Sequence, residues 1–291
     1  MVINNRPRRL VAVPLLPALC LVSGLSAISS FAAPEPIKVE FPSGTACAIS
    51  SPDPEFLVSV HSGASNSSKA TWIDGSNRTG LEFIGDDKIT RLCFFKNPNP
   101  DASLAALWAD DFRSENPGAL RAIDYSRTTD CTFQKWVTQI GDKVLPLGLL
   151  SVSFQNGIPP AGTPLVDSSG KIVGLILQPG SATMAYAIPA QAVHRVVQDI
   201  VAHRKLVKGW LGIALSPGSQ IPRITGVLPN SPAADAGILE NDILVKAGAY
   251  PIARYPDAVN ALFYTVPGET TSLQILRNNK RIEYQVTPIA K

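Results

Sequence analysis

Short apolar runs broken by turn residues fill the chain from Ile37 to about Ile188. "EFLVSV" (55–60), "RLCFF" (91–95), "LGLLSVSF" (147–154) and "KIVGLIL" (171–177) each read as a strand. Asn156-Gly157 and the run Asp167-Ser168-Ser169-Gly170 read as hairpin-type turns. Many short strands at this spacing predict a sandwich or a barrel. The stretch from Asn97 to Tyr125 is less regular and is expected to hold a helix or an exposed insertion. After Pro189 the period changes. Val193, Val196, Val197, Ile200 and Val201 recur at the spacing of one apolar helix face, with proline near the start. "HRKLVKG" then supplies basic residues and a glycine, as helix C-termini prefer. His194 and His203 fall on this helix, one as a flanking surface residue and one as a terminal dipole partner, so both are expected to be structural. From Gly209 a second unit begins with "GWLGIAL". It continues through "RITGVLPNSPAADAGILENDILVKAGAYPI", a helix-like "YPDAVNALFYTV" and the hairpin "TSLQILRNNKRIEYQVTPI".

The N-terminal segment has a different character. Arg6, Arg8 and Arg9 precede a mostly apolar run from Leu10, and small residues surround Phe31. That order is the pattern of a secretory signal peptide, with the cut expected after Ala32. Pro14 and Pro17 interrupt the run and argue against a retained membrane helix. Without residues 1–32 the formal charge of +3 becomes zero, which gives no support for a nucleic-acid or anionic-membrane partner. Cys47, Cys93 and Cys131 remain, compatible with one disulfide and one leftover thiol in an oxidising compartment. No C-x-x-C occurs, so zinc and redox readings find nothing to stand on, and no cofactor or metal is expected. The expected organisation is a signal peptide (1–32), a β-rich domain closed by the helix (33–206) and a smaller domain (207–291).

An acyl-transfer protease needs a hydroxyl nucleophile on a tight loop, a histidine oriented by a carboxylate, and backbone N–H groups aimed at the oxyanion. "PPAGTPLVDSSGKIVGLIL" followed by "AYAIPAQAVHRVVQDIVAHRKLVKGWLGI" resembles the trypsin-like HtrA/Deg protease family. That family has a G-N-S-G-G-P-L loop, a hairpin, an F-A-I-P strand end, a helix and then a PDZ domain. Laid on that pattern, Gly162, Pro164 and Leu165 match, Ala161 occupies the nucleophile position, and Thr163 replaces the second glycine. Pro159 falls where the family has a glycine whose N–H forms half of the oxyanion hole, and proline has no N–H to give. The N-terminal half agrees more loosely. "EFLVSVHSGAS" resembles the strand ending in T-N-A-H-V and puts His61 at the general-base position. "GDDKITRLCFFK" resembles the D-x-x-x-D-L-A-V-L strand and puts Arg91 where the orienting aspartate belongs. The resemblance therefore implies one triad member of three. Other candidates are weaker. Ser151 and Ser153 read as strand residues, Ser168 to Lys171 fits S-x-x-K only across a turn, and Asp110-Asp111 reads as a solvated face.

Gly209-Trp210-Leu211-Gly212-Ile213 fits the G-x-L-G-I/V loop by which the family's PDZ domain holds a peptide terminus. "LPNSPAADAGILENDILVKAGAYPI" resembles the PDZ core, with Asn241 in place of the glycine before Asp242. A helix from about Asp257 to Tyr264 would form the other wall of the groove. The resemblance thus implies a mainly β protein, a trypsin-like double β-barrel followed by a PDZ domain, itself a β-sandwich with two helices. The expected function is an exported, non-catalytic binder of peptides, unfolded segments or protein C-termini, acting as scaffold, regulator or holdase. Two alternatives stay open: an active serine endopeptidase with a rearranged site, and a purely structural envelope protein. No stable membrane insertion and no nucleic acid are expected. Members of the family commonly trimerise through an N-terminal segment, but "APEPIKVEFPSG" offers no trimer signature, so a homo-oligomer stays an open expectation.

Overall fold

The computed structural model describes residues 34–61, 67–111, 118–217 and 220–290, so the expected signal segment lies outside the described residues. Seven strands come first: β1 (Ile37–Phe41), β2 (Gly44–Ser50), β3 (Phe56–Val60), β4 (Thr71–Asp74), β5 (Asn77–Gly80), β6 (Phe83–Asp86) and β7 (Leu92–Lys96). They form one antiparallel sheet in the order β5-β4-β1-β2-β3-β7-β6. A short helix α1 (Ala102–Ala105) leads to β8 (Ala119–Ile123), β9 (Thr128–Ile140), β10 (Lys143–Phe154), β11 (Pro164–Val166), β12 (Ile172–Pro179) and β13 (Met184–Pro189). These six close into a barrel in the order β10-β13-β12-β11-β8-β9. The irregular stretch of the sequence thus holds both a helix and a strand.

Of the two expected turns, one is a hairpin. Asp167 Oδ1 accepts from the backbone N–H groups of Ser169 and Lys171 and closes the β11–β12 turn. Asn156-Gly157 instead begins a crossing, because β10 pairs with β9 and β13 and never with β11. The turn dipeptide reports only that the strand ends there.

Helix α2 (Ala190–His203) follows β13. Val193, Val196, Val197 and Ile200 are buried in the main apolar core with Phe94, Leu149, Leu175 and Ile188, so one core joins the first sheet, the barrel and the helix. Val201 is 40% exposed. At 100° per residue it sits at the margin of the stripe, past the edge of the buried face. The helix ends without glycine: Arg204 takes the left-handed conformation (φ +60°) and its N–H bonds Ile200 O.

The remaining elements are β14 (Gly209–Trp210), β15 (Ile213–Leu215), β16 (Ile224–Val227), α3 (Pro232–Asp235), β17 (Ile243–Ala247), β18 (Tyr250–Pro251), α4 (Tyr255–Phe263), β19 (Thr271–Arg277), β20 (Lys280–Val286) and β21 (Ile289–Ala290). They make a four-stranded sheet, β18-β17-β19-β20, and two ribbons, β14-β21 and β15-β16, around a separate core centred on Ile224, Leu244, Leu273 and Ile275. Asn278 and Asn279, both at positive φ, turn the β19–β20 hairpin as a primed turn requires.

The three cysteines of the folded part are buried and free, which corrects the expected disulfide. Cys47 and Cys93 lie on β2 and β7, separated by β3. Two strand spacings are about 9–10 Å, beyond the reach of a disulfide. Burial pushes the thiols up, to about 11 for Cys47 and about 12 for Cys131.

Candidate functional site

The protease-like positions lie on segments that run where the first sheet faces the barrel. His61 follows β3 and donates its backbone N–H to Arg91 O at 3.1 Å. Arg91 stands just before β7 with φ +62°, uncommon for a residue with a Cβ. Its guanidinium crosses to β12, where Nη2 donates to Gln178 Oε1 (2.8 Å) and Leu177 O (3.4 Å). Burial lowers its pKa. The loop carrying Ala161 is tied to both halves: Cys47 N–H donates to Ala161 O (2.8 Å), and Gly162 N–H donates to Ile176 O (2.7 Å). Residues 176–178 of β12 therefore hold Gly162 and Arg91 on adjoining backbone.

The surviving residues of the loop have packing reasons to be there. Gly162 has φ +79°, and a Cβ on it would come 2.1 Å from Cys47 O. Only glycine fits, whatever the chemistry. Thr163 is buried and its Oγ1 donates to Pro160 O at 2.8 Å, closing the loop on itself. The Ala161 methyl packs against the main apolar core. Pro159 and Pro160 leave that stretch of loop without two backbone donors.

Asp86, on β6, escaped the sequence reading. Its Oδ2 lies 4.0 Å from His61 Nε2 and accepts from Ser67 Oγ at 2.7 Å. In a catalytic triad the carboxylate meets Nδ1, and Nε2 faces the nucleophile. Here the carboxylate stands on the Nε2 side of a ring that is 7% exposed. The available signal was the Asp86-Asp87 pair, of which Asp87 serves the turn by accepting from Thr90 N–H and Oγ1.

The remaining polar candidates have ordinary surroundings. Ser151 Oγ donates to Met184 Sδ, Ser153 Oγ to Thr132 O, and Lys171 Nζ to Ala106 O. His194 differs from its expected surface placement: it is half-buried, edge-on to Trp108 at 6.2 Å, and burial lowers its pKa.

The second candidate region starts at Gly209. A Cβ there would lie 2.7 Å from Thr265 O, and one on Gly212 (φ +81°) would lie 2.2 Å from Ser231 Cβ, so both glycines are demanded by close approach. Leu211 is buried and anchors the loop in the core below it. Leu211 O accepts from Ala233 N–H (3.0 Å), and Gly212 O accepts from Leu228 N–H (2.8 Å). In a trans peptide the N–H points opposite its C=O. The amides of Gly212 and Ile213 are thereby turned away from Ala233 and Leu228, and Ile213 borders the space between β15 and α4. That space is a cavity of about 330 Å³ walled by Ile213 and Leu215 on one side and Val259, Leu262 and Phe263 on the other. Paired backbone N–H groups beside an apolar slot and an open strand edge suit an extended peptide whose terminal carboxylate meets the amides. Ile89 from the β6–β7 turn, Pro146 of β10 and Arg195 of α2 complete the same lining. A larger cavity, about 750 Å³, lies on the opposite flank of α4, between Trp136 of β9 and the stacked rings of Tyr250 and Tyr264.

Residues 209–287 match the PDZ domain family. Among curated proteins, "Probable periplasmic serine endoprotease DegP-like" of Bartonella henselae is 29% identical over 142 residues, 43% of this chain and 28% of its own length. The protein of the same name from Pseudomonas savastanoi pv. phaseolicola is 25% identical over 236 residues, 73% of this chain and 49% of its own. The chain thus spans half or less of the curated relatives it matches. Among solved structures, the HtrA-type protease AlgW with a tripeptide superposes with a TM-score of 0.61 at 19% identity, covering 90% of this chain and 96% of that one. The chain is HtrA-like: a trypsin fold followed by a PDZ domain.

Proposed function

We propose that the chain is an exported, non-catalytic counterpart of the HtrA-type proteases that binds peptides or protein C-termini in its PDZ groove, as scaffold, regulator or holdase. The observation that carries the loss of chemistry is the pairing of Ala161 with Pro159: no nucleophilic oxygen, and no N–H where the first oxyanion donor belongs. Arg91 directed onto β12, and Asp86 on the Nε2 side of His61, support the same reading. Binding is supported by the apolar slot that Gly209 and Ile213 border, and by the AlgW structure being one with a tripeptide. Export is supported by the charged and apolar opening of the sequence and by relatives named periplasmic. On this reading residues 1–32 are removed, 33–206 form the degenerate trypsin-like domain, and 207–291 form the binding domain.

The test has two arms. Incubating the full chain with a fluorophosphonate probe is expected to leave every serine unlabelled, and labelling would establish an active endopeptidase instead. Ala161→Ser is expected to stay inactive on an unfolded protein substrate, because a missing oxyanion donor alone costs about 10²–10³ in kcat. Titration with a diverse set of C-terminal peptides is expected to show saturable binding that Gly212→Ala abolishes. No binding across the set would leave a purely structural role.

A further inference from the structure

The larger cavity, on the flank of α4 away from the peptide groove, is lined by both halves of the chain. Trp136 of β9 and Gln191 of α2 border it from one half, and Tyr250, Tyr264 and Lys246 from the other. Its volume of about 750 Å³ lies within the roughly 300–1,000 Å³ of pockets that take small organic molecules. Its three aromatic rings are braced by neighbours. Tyr250 and Tyr264 stack at 4.4 Å and 9°, Phe263 packs edge-on against Tyr264 at 5.1 Å, and Phe133 packs edge-on against Trp136 at 6.4 Å. A flat ring entering here meets walls already held in place, so little side-chain freedom is lost on binding.

The charges around the cavity are one-sided. Lys246 and Arg281 line it, and its only carboxylate among the described residues is Asp257. That carboxylate is engaged within its own turn. Oδ2 accepts from the backbone N–H groups of Ala253 and Arg254, and Oδ1 lies 3.8 Å from Arg254 Nη2. A second hollow, about 390 Å³, shares Trp136 and Thr138 with the first and adds Lys135 and Arg254. Glu283, paired across from Gln274, turns to Ser272 Oγ at 2.6 Å and stands outside both linings. Among the described residues, four cations thus border the two hollows against one carboxylate that is already held. A bound cation would be repelled there, and a neutral sugar would gain nothing from the charges. An anion is attracted.

We propose that this cavity is a second binding site, for a small organic anion: a carboxylate or sulfonate on a flat aromatic body. The body lies among Trp136, Tyr250 and Tyr264, and the charge is directed to Lys246 and Arg281. The site does not depend on the peptide-binding reading, since the 209–213 loop stands outside its lining.

The test uses the full chain and two fluorescent probes with one ring system: anilinonaphthalene sulfonate, and phenylnaphthylamine, which lacks the sulfonate. The sulfonate is expected to bind saturably and about tenfold tighter than the neutral probe in low salt. That advantage should shrink in molar salt, because the cations are exposed and easily screened. Lys246→Gln combined with Arg281→Gln should bring it below about threefold and leave the neutral probe's affinity unchanged. Trp136→Leu should weaken both probes by about fivefold or more. A saturating C-terminal peptide should displace neither probe. Equal affinity for the two probes, or an anion preference untouched by the double variant, overturns the assignment. Binding that is unaltered in Trp136→Leu, or that the peptide displaces, places the probe elsewhere and overturns it too. No saturable binding of the sulfonate does the same, whether or not peptides occupy the groove. Should Trp136→Leu fail to fold, the double variant at its two exposed positions decides alone.

Discussion

Asn241 has φ +73° at a position where the PDZ pattern has glycine, and its N–H donates to Ile224 O. Asparagine is one of the few residues that occupies the left-handed region at small cost, so the departure from the pattern preserves the backbone. Asn241→Gly should change stability by a few tenths of a kcal/mol, whereas Asn241→Val should lose about 1–2 kcal/mol, read as a lower urea midpoint. An equal loss for both would mean that the side chain, not the dihedral, matters there. His194 carries a second residue-scale expectation. Burial beside Trp108 disfavours its charged form, so the folded state holds its proton less tightly than the unfolded chain, whose pKa is 6.5. The contribution to stability is therefore complete above about pH 6.5 and fades as the pH falls through that value toward the lower folded pKa. The melting temperature should drop between pH 7 and 5.5, and His194→Gln should flatten that part of the profile. An identical slope in the variant would assign the drop to other groups.

At the scale of elements, the sequence was most legible where spacing alone decides. The 193–200 stripe, the strands at 91–95 and 171–177, and the β19–β20 hairpin emerged because periodicity and turn chemistry are local. What stayed hidden depends on pairing partners far along the chain. Asn156-Gly157 looks like a hairpin until β10 is seen between β9 and β13, and Arg204 can end α2 without glycine because its Nη1 also reaches Ile84 O. The candidate site divides the same way. Ala161, Pro159 and the 209–213 loop are visible in a few adjacent letters, while Asp86 meets His61 only through the β3–β7–β6 pairing. One sheet element also carries a partly buried ion pair. The β17–β19 register sets Asp242 beside Arg277, whose Nε and Nη2 reach its two oxygens at 2.7 and 2.6 Å, and Leu239 N–H adds a third donor. Burial alone would raise the Asp242 pKa, but these donors and the Arg277 charge hold it below the usual carboxylate range. Asp242→Asn should cost about 1–2 kcal/mol at pH 7, since it weakens charge-assisted hydrogen bonds on a buried carboxylate whose partner, Arg277, still reaches solvent. The difference from wild type should begin to narrow as the pH falls below about 3.8, where the carboxylate of the unfolded chain takes up its proton, and should vanish as the pH falls through the lower native pKa. A difference that stays constant down to pH 2.5 would argue that the pair contributes nothing.

On the scale of the whole molecule, α4 couples the two halves, because it belongs to the PDZ fold and also rests on the barrel. The register between β9 and β10 slips between Val144 and Leu149, and within that slip Gly148 N–H donates to Asn260 Oδ1 at 2.5 Å. Phe263 and Tyr264 pack against the main apolar core, so the barrel and the groove share a wall. A Cβ on Gly148 would lie 3.1 Å from Asn260 Oδ1, which makes that glycine part of the docking. A ligand that touches both halves must stabilise their docking by as much as docking strengthens its binding, since the two equilibria are linked. Asn260→Ala removes the acceptor and should loosen the contact by about 1 kcal/mol, raising amide exchange at residues 147–149. The same variant should weaken peptide binding by up to about fivefold, and saturating peptide should restore much of the lost protection. Faster exchange with unaltered affinity would mean that the PDZ domain holds its ligand alone.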